Sequence, residues 1–367
     1  MSEGPLVESV EASAYTIPTD LPEADGTFAW NHTTIVVVQV RGGGQVGTGW
    51  TYGSPACAAV VRQDLGPVVI RRDALAVPAA WSAMVRQLRN IGRPGVAGMA
   101  LSAVDVALWD LAARILGLPL HRLLGTQQDA VPIYGSGGFT TYTDRQLAEQ
   151  LTGWVDRGIP RVKIKIAESS GTRVTRDLSR VARARSVVGA AVELFVDANG
   201  GYTPGQAVRI AERLSEHDVV WFEEPVSSDD LGGLRHVRSR CRADVTAGEY
   251  GFDLAYFQRM CAARAVDCLQ VDVTRCGGIT ELLRVASVAE AHGLQISGHC
   301  APHAHLAALM AIPNLRHLEW FHDHVRIERQ LFAGCPQPLD GVLRPEPDRP
   351  GHGLTLRASA LPQHRVA

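Results

Sequence analysis

Residues 193–204 read ELFVDANGGYTP and residues 219–225 read VVWFEEP. The first opens as a short apolar run and ends in Thr203-Pro204, an N-cap followed by proline at the first helical position. The second is another apolar run, closed by Glu223-Glu224-Pro225. Strand, turn, helix and a further strand ending in charge form the repeating unit of a parallel sheet with crossover helices. The rhythm continues on both sides: VPIYG from 131, VKIKI from 162, DVTAGE from 244, CLQVD from 268, LQISGH from 294 and LRHLE from 315. Eight such strands, about 20–30 residues apart, predict a closed (β/α) barrel rather than an open sheet.

Upstream the pattern differs. Residues 7–17, 34–41 and 47–52 read as an antiparallel meander, with Gly42-Gly43-Gly44 turning the second strand into the third. The polar segment Pro18–Asn31, carrying Pro22 and Gly26, reads as a mobile loop. From 56 to 125 the pattern is helical, with Leu101, Val104, Leu108, Leu111 and Ile115 in steps of three and four before Gly117 and Pro119. The fold class expected is α/β, a modified (β/α) TIM-type barrel over 129–333 with an N-terminal α+β capping domain over 1–128. The proline- and glycine-rich residues 334–367 are expected to return to the capping domain.

Composition bounds the function. The 367 residues are 46% hydrophobic and 20% charged, which excludes disorder, collagen and coiled coil as the main architecture. The net charge of −2, without blocks of like charge, gives no reason to expect nucleic acid or a membrane as partner. No stretch approaches 18 uninterrupted apolar residues, and no basic region precedes an apolar run at the N-terminus, so a cytoplasmic protein is expected. The seven cysteines form no CxxC pair.

Lysine usage says more. Of 36 basic residues only two are lysines, Lys163 and Lys165, on one short strand. Arginine does not deprotonate usefully in a protein, whereas a lysine in a desolvated or cation-rich site can become a base. Other strands also end in ionisable groups: Asp197 with Asn199, Glu223, Glu249, Asp272, His299 and Glu319. In a (β/α) barrel these ends converge on one mouth. Asp197, Glu223 and Glu249 are each one βα unit apart, and three converging carboxylates repel unless a cation lies among them. All-oxygen ligation favours a hard ion, Mg²⁺ being the natural candidate.

The ordered motifs Lys163-Ile164-Lys165, Asp197-Ala198-Asn199, Glu223-Glu224-Pro225, Gly248-Glu249, Asp272 before Gly277-Gly278, His299 and Glu319 resemble the enolase superfamily, mandelate racemase-like subgroup. Residues Ala103–Asp110, leading to Pro119 and Gly125, resemble the helical part of that family's capping domain. The resemblance implies Mg²⁺-assisted abstraction of the proton next to a carboxylate, through an enediolate. It implies Asp197, Glu223 and Glu249 as metal ligands and Lys165 as base, with Lys163 contacting the substrate carboxylate. His299, oriented by Asp272, would act on the opposite face, Glu319 would bind the carboxylate oxygen remote from the metal, and Asn199 would lie near the substrate. Glu224 is expected to face a neighbouring strand or helix. No lysine follows Asp272, which argues against muconate cycloisomerase and dipeptide epimerase chemistry.

His303 and His305 are expected in helix-capping or supporting roles rather than as zinc ligands. Specificity is expected from the 18–31 loop, with Trp30, Asn31 and His32 near its end, and from Thr51–Ser54. The leading expectation is a Mg²⁺-dependent lyase that dehydrates an acid sugar to a 2-keto-3-deoxy sugar acid, acting on a small carboxylate substrate and assembling as a homo-oligomer. Racemisation or epimerisation of a 2-hydroxy acid is the alternative on the same site. A non-catalytic sugar-acid-binding protein is the alternative from another class.

Overall fold

A computed structural model describes residues 4–357 and 362–367. Strands β1 (Val7–Ala24), β2 (Ala29–Gly42) and β3 (Gln45–Tyr52) form an antiparallel sheet in the order β1-β2-β3. Helix α1 (Val96–Ile115) lies across β3. The approach is close enough that a Cβ on Gly49 would come within 2.2 Å of the Ala103 carbonyl oxygen. Helix α1 is apolar and long enough to cross a membrane, but 83% of that span is buried inside the protein, as in a core helix.

Eight parallel strands follow: β4 (Val131–Gly137), β5 (Arg161–Lys165), β6 (Glu193–Asp197), β7 (Val219–Glu223), β8 (Asp244–Ala247), β9 (Cys268–Val271), β10 (Gln295–Gly298) and β11 (Leu315–Phe321). Each pairs with the next and β11 pairs with β4, which closes the barrel. Alternation along β5 separates two environments: Ile164 joins the apolar core, while Lys163 and Lys165, two residues apart, share the other face. Deeper inside, Tyr134, Phe195, Trp221 and Cys268 fill the barrel. Helix α2 (Asp144–Val155) follows β4, with a capping box between Thr143 and Gln146. Helix α3 (Gly278–Ala291) follows β9, and α4 (His322–Leu331) follows β11 without a break.

The two parts are stitched together by buried polar contacts. Asp105 of α1 accepts hydrogen bonds from the Thr280 backbone N (2.9 Å) and Oγ1 (2.6 Å), at the start of α3. The C-terminal segment returns to the N-terminal sheet, where Ala14 N donates to Ala367 O and Val366 N to Ala14 O, each at 2.8 Å.

One expectation is corrected. Residues 18–31 are not an irregular loop. Strands β1 and β2 stay paired to Pro18 opposite His32, slip in register, and pair again at Glu23–Trp30 and Ala24–Ala29. The irregularity between Pro18 and Glu23 accommodates Pro22, whose missing N–H would otherwise break the ladder. The hairpin tip is tied to the barrel by Ser170 N to Gly26 O (2.8 Å), Thr140 N to Ala24 O (2.9 Å) and Thr140 Oγ1 to Asp25 O (2.9 Å). Gly26 sits so tightly on the ends of β5 and β6 that a Cβ there would meet Ile166 O at 2.6 Å and Ala198 O at 2.8 Å.

Candidate active site

Register builds the site. Lys165 lies opposite Asp197, and Asp197 opposite Glu223, across β5, β6 and β7. Glu249 follows two residues after β8, Asp272 directly after β9, and His299 directly after β10, while Glu319 lies within β11. All of these side chains are buried. Ligand oxygens of Asp197, Glu223 and Glu249 lie within 4.8 Å of one another.

The lysines bind this acidic cluster. Lys163 Nζ contacts Glu223, lies 2.8 Å from Glu319 Oε1 and 3.7 Å from Asp197 Oδ2, while Lys165 Nζ contacts Asp197. Burial alone would lower both lysine pKa values. Glu223, Glu319 and Asp197 reverse that for Lys163, Asp197 reverses it for Lys165, and the charge of Lys163 pulls Lys165 back down. Burial, with Asp197 and Glu319 nearby, pushes the Glu223 carboxyl up to about 8 despite Lys163. Asp197, Glu223, Glu249 and Glu319 thus set four carboxylates against three protein cations, Lys163 and Lys165 on the first two and Glu319, and Arg275 beside Glu249. One buried oxygen, Glu249 Oε2, has no hydrogen-bond partner, lying 3.3 Å from His299 Nε2 without the alignment for a bond. Surplus negative charge with an orphaned oxygen fits a hard divalent cation held by Asp197, Glu223 and Glu249.

Across the mouth, His299 Nδ1 is 2.8 Å from Asp272 Oδ2. Asp272 is fixed in turn by Thr274 N and Oγ1, both 2.7 Å from Oδ1, and by Arg275 Nε at 3.4 Å. Burial opposes the charge on Asp272, but the His299 bond and Arg275 outweigh it and hold the carboxyl far below its usual range. Burial likewise pulls His299 down, yet Glu249 and the Asp272 bond raise it above an ordinary histidine. His305 supports this side: Val273 N donates to its Nε2 at 2.8 Å, and its Nδ1 lies 3.1 Å from Ala301 O. His303 pairs with Glu328 at 2.5 Å rather than with the His299–Asp272 pair.

Several neighbours were not singled out from the sequence. Ser136 Oγ donates to Glu319 Oε1 at 2.6 Å, and Cys300 N donates to Glu319 Oε2 at 2.8 Å. Cys300 Sγ is 3.3 Å from both His299 Nε2 and Glu319 Oε2. Trp221 Nε1 donates to Glu223 Oε2 at 2.9 Å, and Arg275 Nη1 lies 3.5 Å from Glu249 Oε1. The inward parity of Ser136 and Trp221 was the only sequence signal for these, and it also marks ordinary barrel filling.

Asn199 and Glu224 sit beside the carboxylates. Asn199 adopts φ 44° and its N–H donates to Asp197 Oδ1 at 2.9 Å. Glu224, expected to face a neighbouring strand or helix, makes no side-chain hydrogen bond through Oε1. At φ 37° it is buried, and it lines a cavity of about 590 Å³ with Asn199, Tyr250 and Tyr256. Of the expected specificity residues, Trp30 packs edge-on against Phe139 beside Cys300 and Phe321. Asn31 and His32 are exposed and bonded to each other, and Thr51 Oγ1 donates to Thr274 O at 2.7 Å.

Residues 146–360 match the family "Enolase C-terminal domain-like", and residues 15–125 match "Mandelate racemase / muconate lactonizing enzyme, N-terminal domain". A 3,6-anhydro-alpha-L-galactonate cycloisomerase of Streptomyces coelicolor is 30% identical over 96% of this chain and 97% of its own. An L-talarate/galactarate dehydratase of Salmonella typhimurium is 27% identical over 97% and 90%. Among solved structures, a mandelate racemase/muconate lactonizing enzyme-like protein from Rubrobacter xylanophilus superposes with a TM-score of 0.95 at 48% identity, over 98% of this chain and all of its own. A racemase from Streptomyces coelicolor with bound magnesium gives 0.92 at 30% identity, over 98% and 100%. With both domains matched in sequence and the barrel and capping sheet matched in space, the chain belongs to the mandelate racemase/muconate lactonizing enzyme family of the enolase superfamily.

Proposed function

We propose that this enzyme removes the proton next to the carboxylate of an acid sugar and eliminates the β-oxygen, giving a 2-keto-3-deoxy sugar acid. One arrangement carries the reading: Lys165 and His299 close different strands on either side of a site walled by Asp197, Glu223, Glu249 and Glu319. Asp197, Glu223 and Glu249 would hold Mg²⁺, which would supply positive charge at the substrate carboxylate. Lys163 contacts the carboxylate, and Glu319, an anion beside Lys163 in the substrate-free protein, binds its other oxygen only as the protonated acid, positioned by Ser136 and the Cys300 N–H. Lys165, whose proton affinity Asp197 raises and the charge of Lys163 opposes, takes the α-proton. The C–H electron pair forms the enediolate. His299, with Nδ1 held by Asp272, then donates from Nε2 to the β-oxygen as the C–O bond breaks. Water leaves from a hydroxyl substrate, and the enol tautomerises to the keto acid. Asn199, beside Asp197, binds substrate under the 18–31 hairpin.

The names of the relatives, a dehydratase and a cycloisomerase of sugar acids, support the substrate class. A second reading rests on the placement of two bases: without a β-leaving group, His299 returns a proton to the opposite face, and the outcome is racemisation or epimerisation. The test is incubation with a pooled library of mono- and diacid sugars and Mg²⁺, with keto acid followed as its semicarbazone. Formation from at least one acid sugar is expected. Chiral chromatography showing inversion with no keto acid overturns dehydration in favour of the second reading.

A further inference from the structure

A second cluster outside the catalytic centre has the composition of a metal site. Asp20 and Glu23 lie on β1 around the register slip, and His322 is the first residue of α4, three residues beyond Glu319. One ligand atom from each lies within 4.8 Å of the other two. Glu23 is fully buried. Its Oε2 accepts a hydrogen bond from Trp30 Nε1 at 2.8 Å, but its Oε1 has no partner. A buried carboxylate oxygen without a donor is costly unless a cation meets it. Burial, then the charge of Asp323, pushes the Glu23 carboxyl up to about 9. The nearby cation Arg326 directs its Nη2 to Asp323 Oδ1 at 2.5 Å and Pro18 O at 2.8 Å, its Nε is buried without a partner, and neither bonds Glu23. His322 Nε2 lies 2.9 Å from Asp20 Oδ2 at the exposed edge, a pair that contributes little and can be exchanged for a shared ion.

We propose that Asp20, Glu23 and His322 form a second binding site for a divalent transition cation, of which Zn²⁺ is the representative, pinning the 18–31 hairpin to the barrel. One imidazole nitrogen with two carboxylates is a Zn²⁺ donor set, whereas Mg²⁺ prefers oxygen alone, so the two sites differ in metal preference. The Trp30 bond orients Glu23 as outer-shell donors orient metal carboxylates. The hairpin tip is already held on one side by Ser170 and Thr140. The cation adds an anchor at the end of β11, the strand that carries Glu319, and so biases the cover over the active site toward closure.

The test uses the full chain stripped with chelator, then dialysed against Zn²⁺ in excess Mg²⁺, with zinc counted by atomic emission in the wild type, Glu23→Gln and His322→Gln. The wild type is expected to bind one Zn²⁺ more than either variant, or to bind it at least about tenfold more tightly. Zn²⁺ is also expected to slow amide exchange across residues 19–28 in the wild type alone. Zinc counts and affinities unchanged by both substitutions overturn the site. Zinc bound through these residues without slower exchange at 19–28 overturns the pinning role. Neither readout involves turnover, so the result is independent of the catalytic reading.

Discussion

Replacing Asp272 by asparagine tests how His299 is held. Asp272 Oδ1 accepts two hydrogen bonds from Thr274 at 2.7 Å, which keeps an oxygen on that side. The NH₂ of the introduced amide then faces His299 Nδ1, where the wild type offers Oδ2 at 2.8 Å. Imidazole must present a lone pair at Nδ1 and carry its proton on Nε2, so it can no longer be readily protonated at both nitrogens. A hydrogen bond to a charged group contributes about 1.5–3 kcal/mol, roughly 10- to 150-fold in rate. Denying His299 its doubly protonated, acidic form carries the loss toward about 10⁴-fold. Keto-acid formation by Asp272→Asn is therefore expected to fall about 10²- to 10⁴-fold, with KM changed little. Exchange of the α-proton from the Lys165 side should continue. NMR in D₂O reads both at once, as deuterium in recovered substrate and as keto product. Keto-acid formation within about threefold of the wild type refutes the reasoning.

Three further outcomes follow from the same structure. Gly26→Ala brings a Cβ against two carbonyl oxygens, an overpacking strain of about 1–3 kcal/mol that the hairpin tip relieves by lifting. KM should rise while the melting temperature falls only a few degrees, and an unchanged KM counts against the hairpin as the cover of the site. Glu249→Gln should abolish the thermal stabilisation by Mg²⁺, which at a hundred times Kd is about 2.7 kcal/mol in the wild type; an equal shift in both proteins removes Glu249 from the ligand set. The third concerns Asp105, which burial pushes up to about 7 while the Thr280 hydrogen bonds oppose the shift. A raised acid binds its proton more tightly in the folded state, so its contribution is full below about pH 4 and is lost as pH rises toward 7, at no more than about 1.4 kcal/mol per pH unit. Asp105→Asn should flatten that part of the stability profile in urea unfolding, and parallel profiles contradict it.

The barrel and its charged strand ends were legible because both signals are local. Apolar runs alternate with amphipathic helices, and a lysine or carboxylate at the end of such a run is chemically conspicuous, as at Lys165, Asp197 and Glu319. The hairpin over the mouth was not legible. Its pairing of Glu23 with Trp30 depends on the opposite strand, and its prolines and polar residues carry the composition of a loop. Ser136, Cys300 and Arg275 were missed because serine, cysteine and arginine at strand ends are common, and their roles come from partners distant in sequence. The orphaned oxygens of Glu224 and Glu23 depend on three-dimensional burial, which spacing does not encode.

The central claim is that Lys165 removes the proton next to the substrate carboxylate. It is tested most directly by α-deuterium incorporation in D₂O with Mg²⁺ and the responsive acid sugar, comparing the wild type with Lys165→Ala. The account predicts that exchange falls at least about 10²-fold in the variant while Mg²⁺ still raises its melting temperature. Exchange at the wild-type rate in a folded, metal-binding Lys165→Ala protein contradicts it.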